Sequence, residues 1–324
     1  MARPPNRHRR PSCRPVGSGD GSSSLGPAVT ARFGSVITAM VTPFAADGSL
    51  DTEAAATLAR WLVDHGNDAL VLAGTTGESA VLTDPERIEL FRTVRAAVDV
   101  PLIAGATTND TAHSIAMTRA ATEAGMDAIL AVVPYYNKPP QSGLEAHFRA
   151  VAGATDLPVM LYDVPGRTGR KLATATTLRL AREVANIVAL KDAGGDPAET
   201  AVLLDAAPDG FEVYSGDEPL SLAFAALGVV GTVGVSSHWT GCQQQEMWAA
   251  IGAGDLVTAR RVNASLLPSY HYMNSDTCVF SQAVKVAMGV LGVPVGECRL
   301  PLGPPPEGTA DAAKTVLTDL GYPI

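Results

Sequence analysis

The chain has 324 residues, 46% of them apolar and only 5% aromatic, and a formal net charge of −9. With 31 Gly and 23 Pro spread among abundant Leu, Val and Ala, this composition excludes a collagenous or wholly disordered chain. Of its 24 basic and 33 acidic residues, six arginines and Asp20 alone fall in residues 1–32, so the remainder carries 18 basic against 32 acidic residues and offers no phosphate-neutralising surface for nucleic acid.

Residues 1–32, Arg-rich and nearly acid-free, are expected to be a disordered N-terminal extension, although an organellar transit peptide has the same bias. From residue 33 the chain alternates short aliphatic runs with amphipathic stretches. The runs are Val36–Val41, Ala69–Ala73, Pro101–Ala106, Ala128–Val133, Pro158–Tyr162, Ile187–Lys191, Phe211–Tyr214 and Val229–Val235. They are continuous and not alternating, the pattern of parallel strands covered on both faces. Their starts are mostly about 25 to 35 residues apart, the length of one strand–helix unit.

Between the runs lie helix signals. Asp51–Gly66 opens on an acidic turn and ends on Gly, Asp84-Pro85-Glu86 offers Asp84 as an N-cap with Pro at the first helical position, and Thr111–Gly125 again stops at Gly. Eight such repeats predict an α/β fold of the (β/α)8 TIM barrel type over residues 33–238. An open doubly wound sheet shows similar alternation, but the count of eight favours the barrel. Beyond Ser237 the pattern is helical, roughly 241–253, 255–273, 276–291 and 309–320, with the Pro-rich segment Pro301–Pro306 before the last helix. Residues 239–324 are therefore expected to form a C-terminal helical region packed on the barrel.

Two further exclusions follow from composition. The four cysteines, Cys13, Cys242, Cys278 and Cys298, show no metal-type spacing, and a reduced, cytoplasmic protein is expected. The most apolar stretch, Leu222 to Val235, is too short and too Gly-rich to span a membrane.

Chemistry is suggested at four strand ends. Lysine occurs five times in the chain, and Lys191 closes the apolar run Ile187–Lys191, where period two puts it on the face of Ala189 and Ile187. On the inside of a barrel its ammonium is desolvated, giving a neutral amine at pH 7 able to form a Schiff base; the plain alternative is a lysine at the strand mouth paired with Asp192. Gly74-Thr75-Thr76-Gly77-Glu78-Ser79 places two hydroxyls and free amides at a strand end, suited to a carboxylate or to an ordinary turn. Tyr162-Asp163-Val164-Pro165-Gly166-Arg167 offers a phenol for proton transfer and a guanidinium for a carboxylate, or else a buried Tyr and a surface Arg. Pro134-Tyr135-Tyr136-Asn137 has one tyrosine free to face a partner. All four lie at carboxyl ends of strands, which converge on one rim in a barrel.

These motifs, together with Tyr162-Asp163-Val164-Pro165-Gly166-Arg167-Thr168-Gly169, Lys191-Asp192 and Ser215-Gly216-Asp217, resemble the dihydrodipicolinate synthase family of pyruvate-dependent class I aldolases, in order from about Gly34 to the C-terminal helices. The resemblance implies condensation of pyruvate with L-aspartate 4-semialdehyde, the entry to diaminopimelate and lysine. It implies that Lys191 forms the imine and that Tyr162 is the general acid/base, linked through Thr75 to Tyr136 of a neighbouring subunit. Thr76 would hold the pyruvate carboxylate and Arg167 that of the second substrate, with Gly216 and the Val233 carbonyl also at the ligand. It further implies a homotetramer built of dimers and no metal or organic cofactor. His113 stands where inhibited members carry the carboxylate for lysine's ammonium, so weak or absent lysine feedback is expected; a solvated helix residue is the simpler reading. His238 and Trp239 are expected to pack.

Rival expectations are a sugar-acid aldolase, sialic acid lyase or dehydratase of the same superfamily, against which Arg167 speaks, and a non-catalytic scaffold barrel, against which Lys191 and Tyr162 speak. Neither a membrane nor a nucleic-acid partner is expected.

Overall fold

The structure is a computed structural model that describes residues 31–274 and 278–324. Nearly all of the expected N-terminal extension, residues 1–30, lies outside the described residues. Among those described, eight strands pair in parallel in chain order: β1 (Val36–Ala39), β2 (Ala69–Leu72), β3 (Leu102–Gly105), β4 (Ala128–Val132), β5 (Val159–Asp163), β6 (Ile187–Asp192), β7 (Glu212–Ser215) and β8 (Gly231–Gly234). β8 pairs back onto β1, Ile37 opposite Val233, and closes the barrel. The fold is the TIM barrel expected from the eight apolar runs.

The helices of the barrel are α1 (Thr52–Asp64), α2 (Asp84–Ala97), α3 (Thr111–Glu123), α4 (Gln141–Ala152), the one-turn α5 (Pro165–Thr168), α6 (Thr174–Glu183), α7 (Pro197–Ala206) and the short α8 (Ser221–Ala225). In α1 the Asp51 side chain accepts from the Ala54 amide at 2.9 Å, and Ala55, Leu58, Ala59 and Leu62 make the buried stripe. The cap of α2 is one residue earlier than expected. Thr83 and Glu86 satisfy each other's backbone amides in a capping box, and Asp84 is the first helical residue.

Two apolar layers explain the unbroken hydrophobicity of the strands. Val36, Leu70, Leu72, Val159, Leu161 and Leu190 face the helices, whereas Ile37, Val71, Met160, Tyr162, Ala189 and Val233 fill the interior of the barrel. One expected facing is wrong. Ile187 belongs to the outer layer while Ala189 belongs to the inner one. The β5–β6 register shifts between Val159 and Met160, so an irregularity at Val188 breaks period two, and Lys191 shares its face with Ala189 alone.

Four further helices follow β8: α9 (Ser237–Gly252), α10 (Leu256–Met273), α11 (Phe280–Val290) and α12 (Thr309–Asp319). α9 and α10 pack side by side; the Trp239 indole donates to Ser269 Oγ at 3.0 Å, and Tyr322 donates to the Trp239 carbonyl at 2.6 Å. Cys278 and Cys298 are buried. No helix of the described residues is long and apolar enough to cross a membrane.

Candidate active site

β6 carries Lys191 to the carboxyl rim on its inner face, where the residue is 5% exposed. In the β5–β6 ladder its partner is Tyr162, and the Lys191 Nζ lies 4.3 Å from the centre of the Tyr162 ring. The neighbouring acids turn the other way. Asp163 takes the Lys171 ammonium at 2.6 Å and Asp192 accepts from Thr200 Oγ1 at 2.6 Å, both behind the sheet. This removes the Asp192 pairing considered for Lys191, because alternate residues of a strand point to opposite faces.

Burial lowers the Lys191 pKa to about 8; the Glu218 carboxylate opposes that shift and the Arg167 cation adds to it. The shift moves the amine toward the neutral form, with Glu218 offsetting part of the desolvation. Burial pushes the Tyr162 phenol up, with a hydrogen bond from the Thr75 side chain and the Arg167 charge working against it.

The segment after β2 is tightly built. Ala73 and Glu78 hold positive φ of 51° and 56°, and a Cβ on Gly77 would stand 2.9 Å from the Met40 carbonyl oxygen, so the backbone folds close under the rim. Thr42 Oγ1 donates to the Gly77 carbonyl at 2.6 Å and Ser281 Oγ to that of Thr76 at 3.0 Å. Beneath them the Glu78 carboxylate meets Lys285 Nζ at 2.8 Å, an ion pair without hydrogen-bond alignment, and accepts from the Arg299 amide at 2.9 Å.

Thr75, Thr76, Tyr162, Arg167, Lys191 and Gly216 line one cavity of about 330 Å³. Arg167 enters from α5, whose Gly169 cap has φ +68°. Gly216 is closely hemmed in: a Cβ there would lie 2.9 Å from Ala193 Cβ, 3.1 Å from the Asp192 carbonyl oxygen and 3.1 Å from Lys191 Cε. Two expected residues are not among the lining. Val233 lies deeper in the barrel interior, and Val235, two residues on, lines the cavity instead. Tyr136, at φ +70°, is 89% exposed and turned away from the cavity of its own chain.

Sequence reasoning missed Glu218 and Phe280, which also line the cavity. Glu218 is buried and accepts from the Val235 amide at 2.7 Å, the Ser236 amide at 3.0 Å and Ser236 Oγ at 2.7 Å, which ties the ends of β7 and β8 together. An acid following Gly216-Asp217 at a strand end was the available signal; for Phe280 there was none. His238 packs as expected: it is fully buried, its ring bonded to the Val235 carbonyl and the Val41 amide, and burial holds its pKa near 4. His113 pairs with Asp84 at 2.9 Å on the half-exposed side of α3. Among the described residues no cluster of three or more His, Cys, Asp or Glu side chains is arranged to hold a metal ion.

The profile of the Dihydrodipicolinate synthetase family matches residues 32–320. The 4-hydroxy-tetrahydrodipicolinate synthase of Moorella thermoacetica is 48% identical over 275 residues, 84% of this chain and 92% of that one. Among solved structures, a dihydrodipicolinate synthase from Bacillus anthracis is 43% identical with a TM-score of 0.84, covering 90% of this chain and 99% of its own. The chloride-inhibited dihydrodipicolinate synthase of Acinetobacter baumannii, solved in complex with pyruvate, is 35% identical with a TM-score of 0.83, over 89% of this chain and 98% of its own. A closed barrel with a buried lysine and a phenol on adjacent strands, matched over nearly all of the described residues, leads to one assignment: the chain belongs to the dihydrodipicolinate synthetase family.

Proposed function

We propose that the protein condenses pyruvate with L-aspartate 4-semialdehyde to give 4-hydroxy-tetrahydrodipicolinate, and that it does so through an imine on Lys191. One observation carries the chemistry: an amine with a lowered pKa lies 4.3 Å from a phenol ring in a cavity that also holds hydroxyls and a guanidinium. The neutral amine attacks the pyruvate ketone, and water leaves as the imine forms. The imine withdraws electrons, so the methyl carbon loses a proton and becomes an enamine nucleophile. That carbon bonds to the aldehyde, whose oxygen takes up a proton. The amino group of the adduct then displaces Lys191 and closes the ring.

Tyr162 is proposed as the group that carries these protons, since it hydrogen-bonds to Thr75 and abuts the amine. Thr76 and its amide are suited to the pyruvate carboxylate and Arg167 to that of the semialdehyde, while Gly216 leaves room for the lysine. A ligand contact by the Val233 carbonyl, at the end of β8, belongs to the same proposal. So does a homotetramer in which Tyr136 reaches the site of a neighbouring subunit; its exposure supports this. A cytoplasmic location and weak lysine feedback complete the reading, the latter supported by the pairing of His113 with Asp84.

The test is borohydride reduction in the presence of pyruvate followed by peptide mass mapping, with turnover of pyruvate measured against added semialdehyde. We expect a pyruvate adduct on Lys191, turnover that depends on the semialdehyde, and a rate unchanged by lysine below about 1 mM. Full turnover by Lys191→Ala, or trapping without semialdehyde-dependent turnover, overturns the assignment.

A further inference from the structure

The N-terminal turn of α11 reaches both sides of the cavity. Phe280, its first residue, lies with its ring centre 4.4 Å from the Arg167 guanidinium carbon, and the next residue, Ser281, donates to the Thr76 carbonyl at 3.0 Å. This turn is itself fixed. Gln282 accepts from the Val279 amide at 3.2 Å, and its amide nitrogen donates to the carbonyls of Leu302 at 3.0 Å and Pro304 at 2.9 Å. One turn further on, Lys285 is held by Glu78 and by the Glu297 carbonyl at 2.9 Å.

Arg167 has no comparable support of its own. It rides on a single helical turn, and among the described residues no carboxylate pairs with it. A guanidinium on such a short element has many rotamers. What stands against it is the ring of Phe280, with the guanidinium carbon over the ring at 4.4 Å from its centre. A cation held by its face keeps its in-plane N–H donors free, and those donors accept a carboxylate through two parallel bonds. A carboxylate partner would have held the guanidinium by the same edge the substrate needs. An aromatic partner holds it without competing.

We propose that Phe280 is a positioning residue for recognition of the second substrate: it presents the Arg167 guanidinium edge-on to the carboxylate of the incoming aldehyde, and so makes the enzyme select aldehydes that carry one. The inference rests on the reading of Arg167 given above. It concerns the second substrate only, because the pyruvate end of the cavity is built from Thr76 and Lys191.

The test compares Phe280→Leu, which keeps apolar bulk but removes the π face, and Phe280→Tyr, which keeps the face, with Arg167→Ala. In Phe280→Leu the KM for the semialdehyde is expected to rise by roughly tenfold, with the KM for pyruvate and the rate of borohydride trapping on Lys191 unchanged. Preference for the semialdehyde over a short aldehyde lacking the carboxylate should fall by the same factor. Phe280→Tyr should restore both to within about threefold, and in an Arg167→Ala background Phe280→Leu should add nothing further. An unchanged semialdehyde KM in Phe280→Leu, with Arg167→Ala impaired, overturns the role of Phe280 alone. An unchanged semialdehyde KM in Arg167→Ala overturns the reading of Arg167 beneath it. Equal losses toward both aldehydes, or a pyruvate KM that rises in step, would reduce Phe280 to a packing residue; should Phe280→Leu not fold, the aldehyde preference of Phe280→Met decides by the same criteria.

Discussion

Lys191 and Tyr162 are direct cross-strand partners in the β5–β6 ladder, and the amine of one lies 4.3 Å from the ring centre of the other. Register alone thus brings amine and phenol together. Neither needs a loop to hold it, so the pair is as rigid as the sheet.

The pH dependence follows from the lysine. Burial sets its pKa to about 8, below that of a free lysine, and only the neutral amine attacks a ketone. Raising the pH through 8 removes the proton, so kcat/KM for pyruvate should climb about tenfold per pH unit below that point and level off above it. Rates of borohydride inactivation from pH 6 to 9.5 would measure this. A limb centred above pH 10 would show the amine to be solvated.

Gly216→Ala should impair both imine formation and folding. The new methyl would stand 2.9 Å from Ala193 Cβ and 3.1 Å from both the Asp192 carbonyl oxygen and Lys191 Cε, so the lysine is pressed by a few tenths of an ångström. A misplacement on the order of 1 Å costs about 100-fold in rate, so this smaller shift should cost well under that, while the overpacking costs about 1–3 kcal/mol of stability. Single-turnover trapping with pyruvate, alongside a denaturant titration, separates the two effects.

The ion pair under the segment after β2 should respond in a non-additive way. The side chains of Lys285 and Glu78 are 2% and 1% exposed, and Phe44 packs against the ammonium at 4.2 Å. Lys285→Met leaves a buried carboxylate without its cation and is expected to cost about 3–5 kcal/mol. Adding Glu78→Gln should recover part of that loss, since the lone charge is then gone. Urea midpoints of the two single variants and the double variant provide the check; equal and additive losses would contradict it.

The barrel was legible because strands buried on both faces leave unbroken apolar runs, and all eight appear in the structure in order with ends shifted by one or two residues. The errors were local. Val188 disturbs the β5–β6 register and turns Ile187 outward, and Thr83 outcompetes Asp84 as the cap of α2 because Glu86 can answer it. Electrostatics was harder to infer. The lysine's desolvation was foreseeable from its strand, but Glu218, which partly offsets it, reaches the same cavity from the neighbouring strand's end. Phe280 carried no local signal at all. Its place beside Arg167 is set by how α11 packs on the barrel, and periodicity within a segment says nothing about that.

The ring of strands is complete at Gly234, whereas the groups that brace Thr76, Glu78 and Arg167 come from residues 280–299. During translation, then, the pieces of the reaction centre emerge from the ribosome well before their braces do. A nascent chain that has just closed its barrel holds every group proposed for imine chemistry and lacks the props that aim the carboxylate-binding ones. Competence arrives late in synthesis, with the finishing stretch of polypeptide.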